Sequence, residues 1–310
     1  MKRILVTGGA GFIGSHTVDL LLSKQMEVVV IDNLSSGKLT YLNLFNPLLR
    51  FVQGDVRDEA LLRRELARCD AVLHLAALPS VPQSVENPLE SLRINVEGFV
   101  CVLQAIRCNH KPVRLVYASS AAVYGDSDML PCSDEMQLPS LQLSPYALEK
   151  VTNERYAATF EHLFGIQSLG LRYFNVYGDR QDPGSPYSGV ISKFIKQYQN
   201  HLPITVFGNG EQSRDFIHVS DVARANLQAL QSEVCGVMNI ATGVPETLLN
   251  MIAYMEKAGL GKAEVLFADH RKGDILHSYA KTEKAATALN FQYAMSLSDG
   301  IAGLLEERIT

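Results

Sequence analysis

A strand that runs straight into a glycine turn sets the terms for this chain. Arg3 to Thr7 is a short apolar run, Arg-Ile-Leu-Val-Thr, of the kind buried in a parallel sheet. Gly8-Gly9-Ala10-Gly11-Phe12-Ile13-Gly14 follows without a spacer, and Ser15 to Ser23 then carries Val18, Leu20, Leu21 and Leu22 in a helical pattern. Strand, glycine turn and helix make a phosphate-binding arrangement. Gly8 permits the tight turn, Gly11 lets a pyrophosphate reach the backbone, and Gly14 lets helix and strand pack closely. The free N–H groups and positive dipole end of the helix then face the anion.

The second strand, Glu27 to Ile31, ends in Asp32. An acidic residue about twenty positions past the glycines is where a ribose 2′-OH is held. Asp32 repels a 2′-phosphate, and Asn33 follows rather than an arginine, so NAD is expected over NADP.

The chain has 310 residues, enough for a large core in one elaborated domain or two closely packed ones. Its 47% hydrophobic and 20% charged content is that of an ordinary globular protein. A net charge of -5 without a basic cluster argues against nucleic acid as a partner. The N-terminus enters a strand at once, unlike a signal peptide, and no apolar run approaches a membrane span. Five scattered cysteines without a Cys-x-x-Cys point to reduced thiols. The expectation is a cytoplasmic protein without a membrane partner or a metal site.

Strands and helices alternate through the first half, which predicts an α/β fold with a Rossmann-like, doubly wound parallel sheet. Arg50 to Gly54 is a third strand, ending at Asp55-Val56 beside the adenine position, and Glu59 to Arg68 is a charged helix. Ala71 to Ala77 is a fourth strand, whose small-residue end lets a cofactor lie close. His74 inside it reads as a satisfied core histidine rather than a ligand. Asn87 to Cys108 reads as one long helix with a stripe through Leu92, Val96, Phe99, Val100 and Leu103, and Pro88 suits its first turn. Val113 to Ala118 is a fifth strand, followed by Ser119-Ser120-Ala121-Ala122-Val123-Tyr124-Gly125. A helix from Pro145 to about Phe164 and a strand from Ile166 to Tyr173 complete this half.

After Asn175 the rhythm changes. A turn-rich insertion, Asp182 to Tyr187, precedes a helix at Val190 to Gln199 and strands at Pro203 to Gly208 and Arg214 to Val219. A helix at Asp221 to Gln231, a strand at Val237 to Ala241 and a helix-rich remainder follow. The pattern predicts a sheet domain of residues 1–174 plus about 215–243, and a smaller C-terminal substrate lobe of about 175–214 plus 244–310. A cleft between such lobes is a usual small-molecule site.

Tyr146 and Lys150 are one turn apart on a helix and share a face. A free tyrosine, with a pKa near ~10, is a poor base at neutral pH. A neighbouring ammonium is expected to stabilise the tyrosinate, which then takes a proton from a sugar hydroxyl while hydride leaves the same carbon. Ser120 is placed to hydrogen-bond the hydroxyl or the developing carbonyl.

The sequence resembles the extended short-chain dehydrogenase/reductases, and within them the nucleotide-sugar 4-epimerases. The resemblance runs through Thr7-Gly-Gly-Ala-Gly-Phe-Ile-Gly14, Asp32-Asn33-Leu34, Gly54-Asp55-Val56, His74-Leu-Ala-Ala77, Tyr146-Ala-Leu-Glu-Lys150, Arg172-Tyr-Phe-Asn175 and Arg214-Asp-Phe-Ile-His-Val219. It implies a domain that keeps NAD bound through turnover and a lobe that grips a UDP-sugar. On the cofactor side it implies Gly8, Gly11, Phe12 and Ile13, then Asp32, Asn33, Ser36 and Gly37, then Asp55 and Val56. Leu75, Ala76, Ala77, Asn95, Ser119 and Tyr173 complete that side with Tyr146 and Lys150. Catalysis is implied at Ser120, Tyr146 and Lys150. On the substrate side it implies Ser80, Val81, Ser120, Tyr146, Asn175 and Val190, with Arg214 and Arg271 on the diphosphate. Thr205, Val206, Phe207 and Asp274 fall where the nucleoside is held. Two arginines suit a diphosphate because their planar forks match phosphate oxygens.

Relatives that eliminate water resemble Thr-Asp-Glu after the strand serine, and related decarboxylases keep the Glu. Ala121 and Ala122 stand there and transfer no proton, which leaves simple epimerisation. Ala121 also stands where many relatives carry a further serine; Ser120, four residues before Tyr124, has the family's usual spacing. Seven residues past Arg271 lies Ser278. A tyrosine there resembles epimerases limited to UDP-glucose and UDP-galactose, and a small residue leaves room for a 2-acetamido group. Ser80 to Ser84 and Arg180 to Pro183 resemble the N-acetylhexosamine branch, including enzymes of bacterial exopolysaccharide pathways. The resemblance therefore implies interconversion of UDP-GlcNAc and UDP-GalNAc through a 4-keto sugar that turns about its diphosphate. The alternatives are the unacetylated pair, a nucleotide-sugar oxidoreductase that releases NADH, and a non-catalytic NAD-binding protein. It also implies a homodimer formed by the helices at about 87–108 and 144–164.

Overall fold

The side chains of Arg3–Thr7 (β1) leave the strand toward opposite faces, and both faces are covered. Ile4 and Val6 pack with Val18, Leu21 and Val222, while Leu5 packs with Leu62, Leu66 and Phe99. A strand buried on both sides has no solvent phase, which is why its sequence is apolar without alternation. The computed structural model describes residues 2–182, 189–270 and 275–306.

After β1 come Phe12–Ser23 (α1), Glu27–Asp32 (β2), Leu49–Gln53 (β3), Glu59–Leu66 (α2) and Ala71–His74 (β4). Val81–Glu86 (α3), Pro88–Leu92 (α4), Gly98–Arg107 (α5), Arg114–Ser120 (β5), Pro145–Phe164 (α6) and Ser168–Tyr173 (β6) follow. The rest comprises Asn175–Tyr177 (β7), Val190–Gln199 (α7), Ile204–Phe207 (β8), Ser213–His218 (β9), Val219–Gln231 (α8) and Gly236–Ile240 (β10). Last come Pro245–Thr247 (β11), Leu248–Met255 (α9), Val265–Ala268 (β12), His277–Ser278 (β13), Glu283–Leu289 (α10) and Leu297–Glu306 (α11).

The main sheet has seven parallel strands in the order β10-β6-β5-β4-β1-β2-β3. The chain winds outward from β1 to β3, then crosses back to β4. Ligands of such sheets bind outside the carboxyl ends of the strands at this switch point. Gly8, Asn33, Leu75 and Ala121 are the first residues past β1, β2, β4 and β5, so four ligand-facing segments share one edge.

A second sheet centres on β9, which pairs with β11, β13 and β7. β9 spans the boundary expected at 214/215 and belongs wholly to this second sheet. β8 and β12 form a parallel pair. Phe194, Ile204, Met251, Ile252 and Leu304 make the core beneath them.

Three expectations change. α1 begins at Phe12 rather than Ser15, and β4 stops at His74 rather than Ala77. The long helix at 87–108 is interrupted by a π-helical turn over Arg93–Glu97, and Leu92 is exposed instead of lying in an apolar stripe. The extra residue in that turn brings Asn95 inward to polar partners described below. The short strands β7, β11, β12 and β13 were not expected; two to four residues carry too little alternation to read. Among the described residues no helix is long and apolar enough to cross a membrane.

Candidate functional site

The glycine turn is built by close approach. Gly8 has φ +69°, and a Cβ there would lie 2.7 Å from the Ala76 nitrogen. A Cβ on Gly14 would lie 2.1 Å from the Gly8 carbonyl oxygen. Side chains are excluded at both positions. Gly11 caps α1 without any side-chain hydrogen bond, so the first-turn N–H groups around Phe12 and Ile13 stay available to an anion. Asp32 Oδ2 accepts from Ala10 N at 3.0 Å and Oδ1 from Leu34 N at 2.8 Å. A carboxylate has about four acceptor positions, so two remain for ribose hydroxyls. Gly37 packs against Ala10 and Asp32, and Lys38 N donates to Ala10 O at 2.9 Å, which folds the Ser36–Gly37 loop onto the turn. An uncapped helix end, a side-chain-free turn and a part-satisfied acidic residue fit a dinucleotide.

Other residues expected on the cofactor side have scaffold partners. Asp55 is held by Arg57, through Nε and Nη2 at 2.8 Å each, and by Asn33 at 3.2 Å; Arg57 keeps its carboxyl down at about 2. Ser119 Oγ donates to Glu154 Oε1 at 2.6 Å. Tyr173 donates to Asn226 Oδ1 at 2.5 Å with its ring in the sheet core. Asn95 brackets Leu78, accepting from its N at 2.8 Å and donating to its O at 3.0 Å. Val56 is buried, and Leu75 packs against the core next to Ala76 and Ala77.

Tyr146, Lys150 and Ser120 meet at the carboxyl end of β5. Ser144 caps α6 by accepting from Ala147 N at 3.1 Å, Pro145 takes the first turn, and Gly165 ends the helix at φ +68°. Ser84 Oγ accepts from Tyr146 N at 3.1 Å. The Ser120 hydroxyl hydrogen-bonds the Tyr146 phenol and accepts from Ala122 N at 3.2 Å. Lys150 Nζ donates to Ala118 O at 2.9 Å and lies 5.6 Å from the Tyr146 ring centroid. Burial pushes the phenol up to about 12; the Ser120 hydrogen bond opposes this and Glu149 adds to it. Burial also brings the Lys150 ammonium down to about 8, against the attraction of Glu149 and Glu154. The Lys150 ammonium is turned toward the Ala118 carbonyl.

On the substrate side, Asn175 opens β7 and donates to Asp215 O at 3.2 Å. Arg214 on β9 lies directly opposite Ser278 on β13. Its guanidinium donates to Ile275 O at 2.6 Å, Ser213 O at 2.9 Å and Leu276 O at 3.2 Å. Thr205 and Phe207 are half-buried, and the Val206 side chain is in the core. Ser80 caps α3 by accepting from Gln83 N at 3.1 Å, Val81 is exposed beside it, and Val190 opens α7. Arg271 and Asp274 lie outside the described residues.

The buried face of α6 had not been singled out. It consists of Tyr146, Ala147, Glu149, Lys150, Asn153, Glu154 and Ala157. Glu154 holds Arg172 bidentately, at 2.8 Å to Nε and 2.7 Å to Nη2, and Arg172 donates to Tyr124 Oη at 2.9 Å. The signal was present: positions at helical spacing on the inward side are ionisable rather than apolar. A surface helix carries charges on its outer face.

A glycine turn at the switch point of a parallel sheet, with a Tyr–Lys pair on the flanking helix, defines a short-chain dehydrogenase/reductase. Residues 4–241 match the NAD dependent epimerase/dehydratase family. A Methanocaldococcus jannaschii protein named by inference as a UDP-glucose 4-epimerase is 41% identical over 302 residues, 96% of this chain and 95% of its own. The UDP-N-acetylglucosamine 4-epimerase of Methanobrevibacter ruminantium, solved with UDP-N-acetylmuramic acid, superposes with a TM-score of 0.92 at 37% identity, covering 99% of each chain. The Thermus thermophilus UDP-glucose 4-epimerase, solved with NAD, gives 0.87 at 34% identity, covering 98% of each chain. The chain belongs to the NAD dependent epimerase/dehydratase family, among its nucleotide-sugar 4-epimerases. Its cofactor is NAD.

Proposed function

We propose that this NAD-dependent UDP-sugar 4-epimerase interconverts UDP-N-acetylglucosamine and UDP-N-acetylgalactosamine. The observation that carries the acetylated pair is Ser278, a small, half-buried residue opposite Arg214 on the second sheet. A small side chain there leaves room for a 2-acetamido group beside the diphosphate. The solved relative named for UDP-N-acetylglucosamine supports the same reading. The unacetylated pair is the competing reading, supported by the two relatives named for UDP-glucose.

Bound NAD supplies a hydride acceptor that serves as donor on the return step. Tyr146 takes the proton of the sugar 4-hydroxyl and gives it back after the 4-keto sugar has turned over. Ser120 holds the hydroxyl and then the carbonyl, and its bond to the phenol oxygen favours the deprotonated form. Lys150, as ammonium, balances the charge that develops on Tyr146. Arg214 and Arg271 grip the diphosphate while the sugar is loose. Ala121 and Ala122 offer no acid to eliminate water, so the keto sugar is returned rather than consumed.

The test is to assay both UDP-sugar pairs side by side on the wild type and Ser278→Tyr. The wild type turns over the acetylated pair, and Ser278→Tyr loses that activity while keeping the plain pair. Turnover of the plain pair alone by the wild type, or a gain of acetylated turnover in the variant, contradicts the assignment.

A further inference from the structure

Glu149 lies between Tyr146 and Lys150 on α6 and has no part in the cycle above. It is 4% exposed. Its Oε2 accepts from Ser91 Oγ at 2.8 Å and Asn95 Nδ2 at 2.6 Å, and its Oε1 has no hydrogen-bond partner among the described residues. A buried carboxylate with an unsatisfied oxygen disfavours the folded state, and an isosteric apolar side chain would avoid that cost.

Its partner Asn95 stands on the π-helical turn Arg93–Glu97. Inserted turns of this kind re-aim side chains and recur at functional sites. Asn95 brackets Leu78 through both its N and its O. Leu78 closes the Leu75–Ala77 segment, against which Gly8 packs so tightly that no Cβ fits. An unbroken run of contacts thus leads from the catalytic helix through Glu149, Asn95 and the Leu78 loop to the glycine turn.

Around the Tyr146–Lys150 pair, α6 contributes Glu149 and Glu154. Glu154 is matched by Arg172 from β6. β4 contributes His74, whose imidazole burial keeps neutral. Ser120 and the Ala118 carbonyl come from β5, Ser84 from α3, and Ser91 and Asn95 from α4 and the π turn. Among the described residues, Glu149 is therefore the carboxylate beside Tyr146 and Lys150 that lacks an arginine partner. Its charge works against tyrosinate and in favour of ammonium.

We propose that Glu149 is a positioning residue with two tasks. Its carboxylate fixes Asn95 and so the loop that backs the glycine turn, and its buried charge, next to Tyr146 and Lys150 on α6, tunes the proton exchange of that pair. The activity arm of the test rests on the epimerase reading; the other two arms do not.

Glu149→Gln keeps the shape and an acceptor for Asn95 but removes the charge, and Glu149→Ala removes both. The first readout is tyrosinate absorbance against pH in sugar-free protein, with Tyr146→Phe subtracted. Glu149→Gln moves the Tyr146 titration to lower pH by about one unit. The pH profile of kcat moves the same way, while KM for the UDP-sugar stays put. The second readout is NAD retained through desalting: Glu149→Gln keeps it and Glu149→Ala loses it. A Tyr146 titration identical in Glu149→Gln and wild type overturns the charge role. Full retention of NAD by Glu149→Ala overturns the positioning role, and if that variant does not fold, loss of NAD in Glu149→Gln overturns it instead. A wild type that turns over no UDP-sugar defeats the epimerase reading and leaves the absorbance titration to decide on Glu149.

Discussion

His74 sits wholly inside the main sheet with Nδ1 2.8 Å from Thr7 Oγ1, and burial brings its imidazole down to about 3. In the unfolded chain it titrates near 6.5. Between those values the unfolded state binds a proton that the native state does not. Stability therefore falls as pH drops from 6.5 toward 3, by roughly 3–5 kcal/mol in all. Urea denaturation at pH 7 and pH ~4.5 should show a smaller acid loss in His74→Asn than in wild type; equal losses contradict the assignment. A core histidine was legible because His74 is flanked by apolar strand residues. The burial of Tyr146 and Lys150 was not. The Tyr–Lys spacing is local, but the burial that governs both groups comes from β4, β5 and the helices packed on α6.

At the scale of the element, α6 carries most of the site. Its ends were readable from Ser144, Pro145 and Gly165, each matched to a helix terminus. Its inward face is held by the buried Glu154–Arg172 pair, which also fixes Ser119 beside Ser120. Glu154→Leu leaves the Arg172 guanidinium buried and unpaired, and should cost roughly 3–5 kcal/mol in urea unfolding. A change below about 1 kcal/mol, the scale of an exposed pair, contradicts a fixing role. The neighbouring helix shows the limit of periodicity. The stripe at 87–108 fits an unbroken helix, yet Arg93–Glu97 is a π turn because Asn95 bonds Leu78 and Glu149, partners distant in sequence.

In the whole molecule, strand–helix alternation and the glycine turn were enough to give the parallel sheet and the edge where ligands meet it. The second sheet was less legible, since β7, β11 and β13 have only two or three residues and their register comes from β9. The outer faces of α4 and α6 expose Leu89 (61%), Leu148 (55%) and Leu163 (59%). We propose that these faces pair across a two-fold axis as a homodimer, since apolar surface of this kind is covered at stable interfaces. Light scattering should give twice the mass of one chain, and Leu148→Glu with Leu163→Glu should return it to one; a wild-type mass of one chain contradicts the pairing. We propose that the glycine turn, read with Tyr146 and the acid-free Ala121–Ala122 step, holds a cofactor that stays through turnover. NMR of UDP-N-acetylglucosamine mixed with purified protein and no added NAD tests this most directly. The spectrum should come to show UDP-N-acetylgalactosamine at equilibrium with the starting sugar, without accumulation of NADH, and with Tyr146→Phe the starting sugar should stay unconverted. Unaltered substrate with the wild type, or an oxidised sugar with matching NADH, would contradict it.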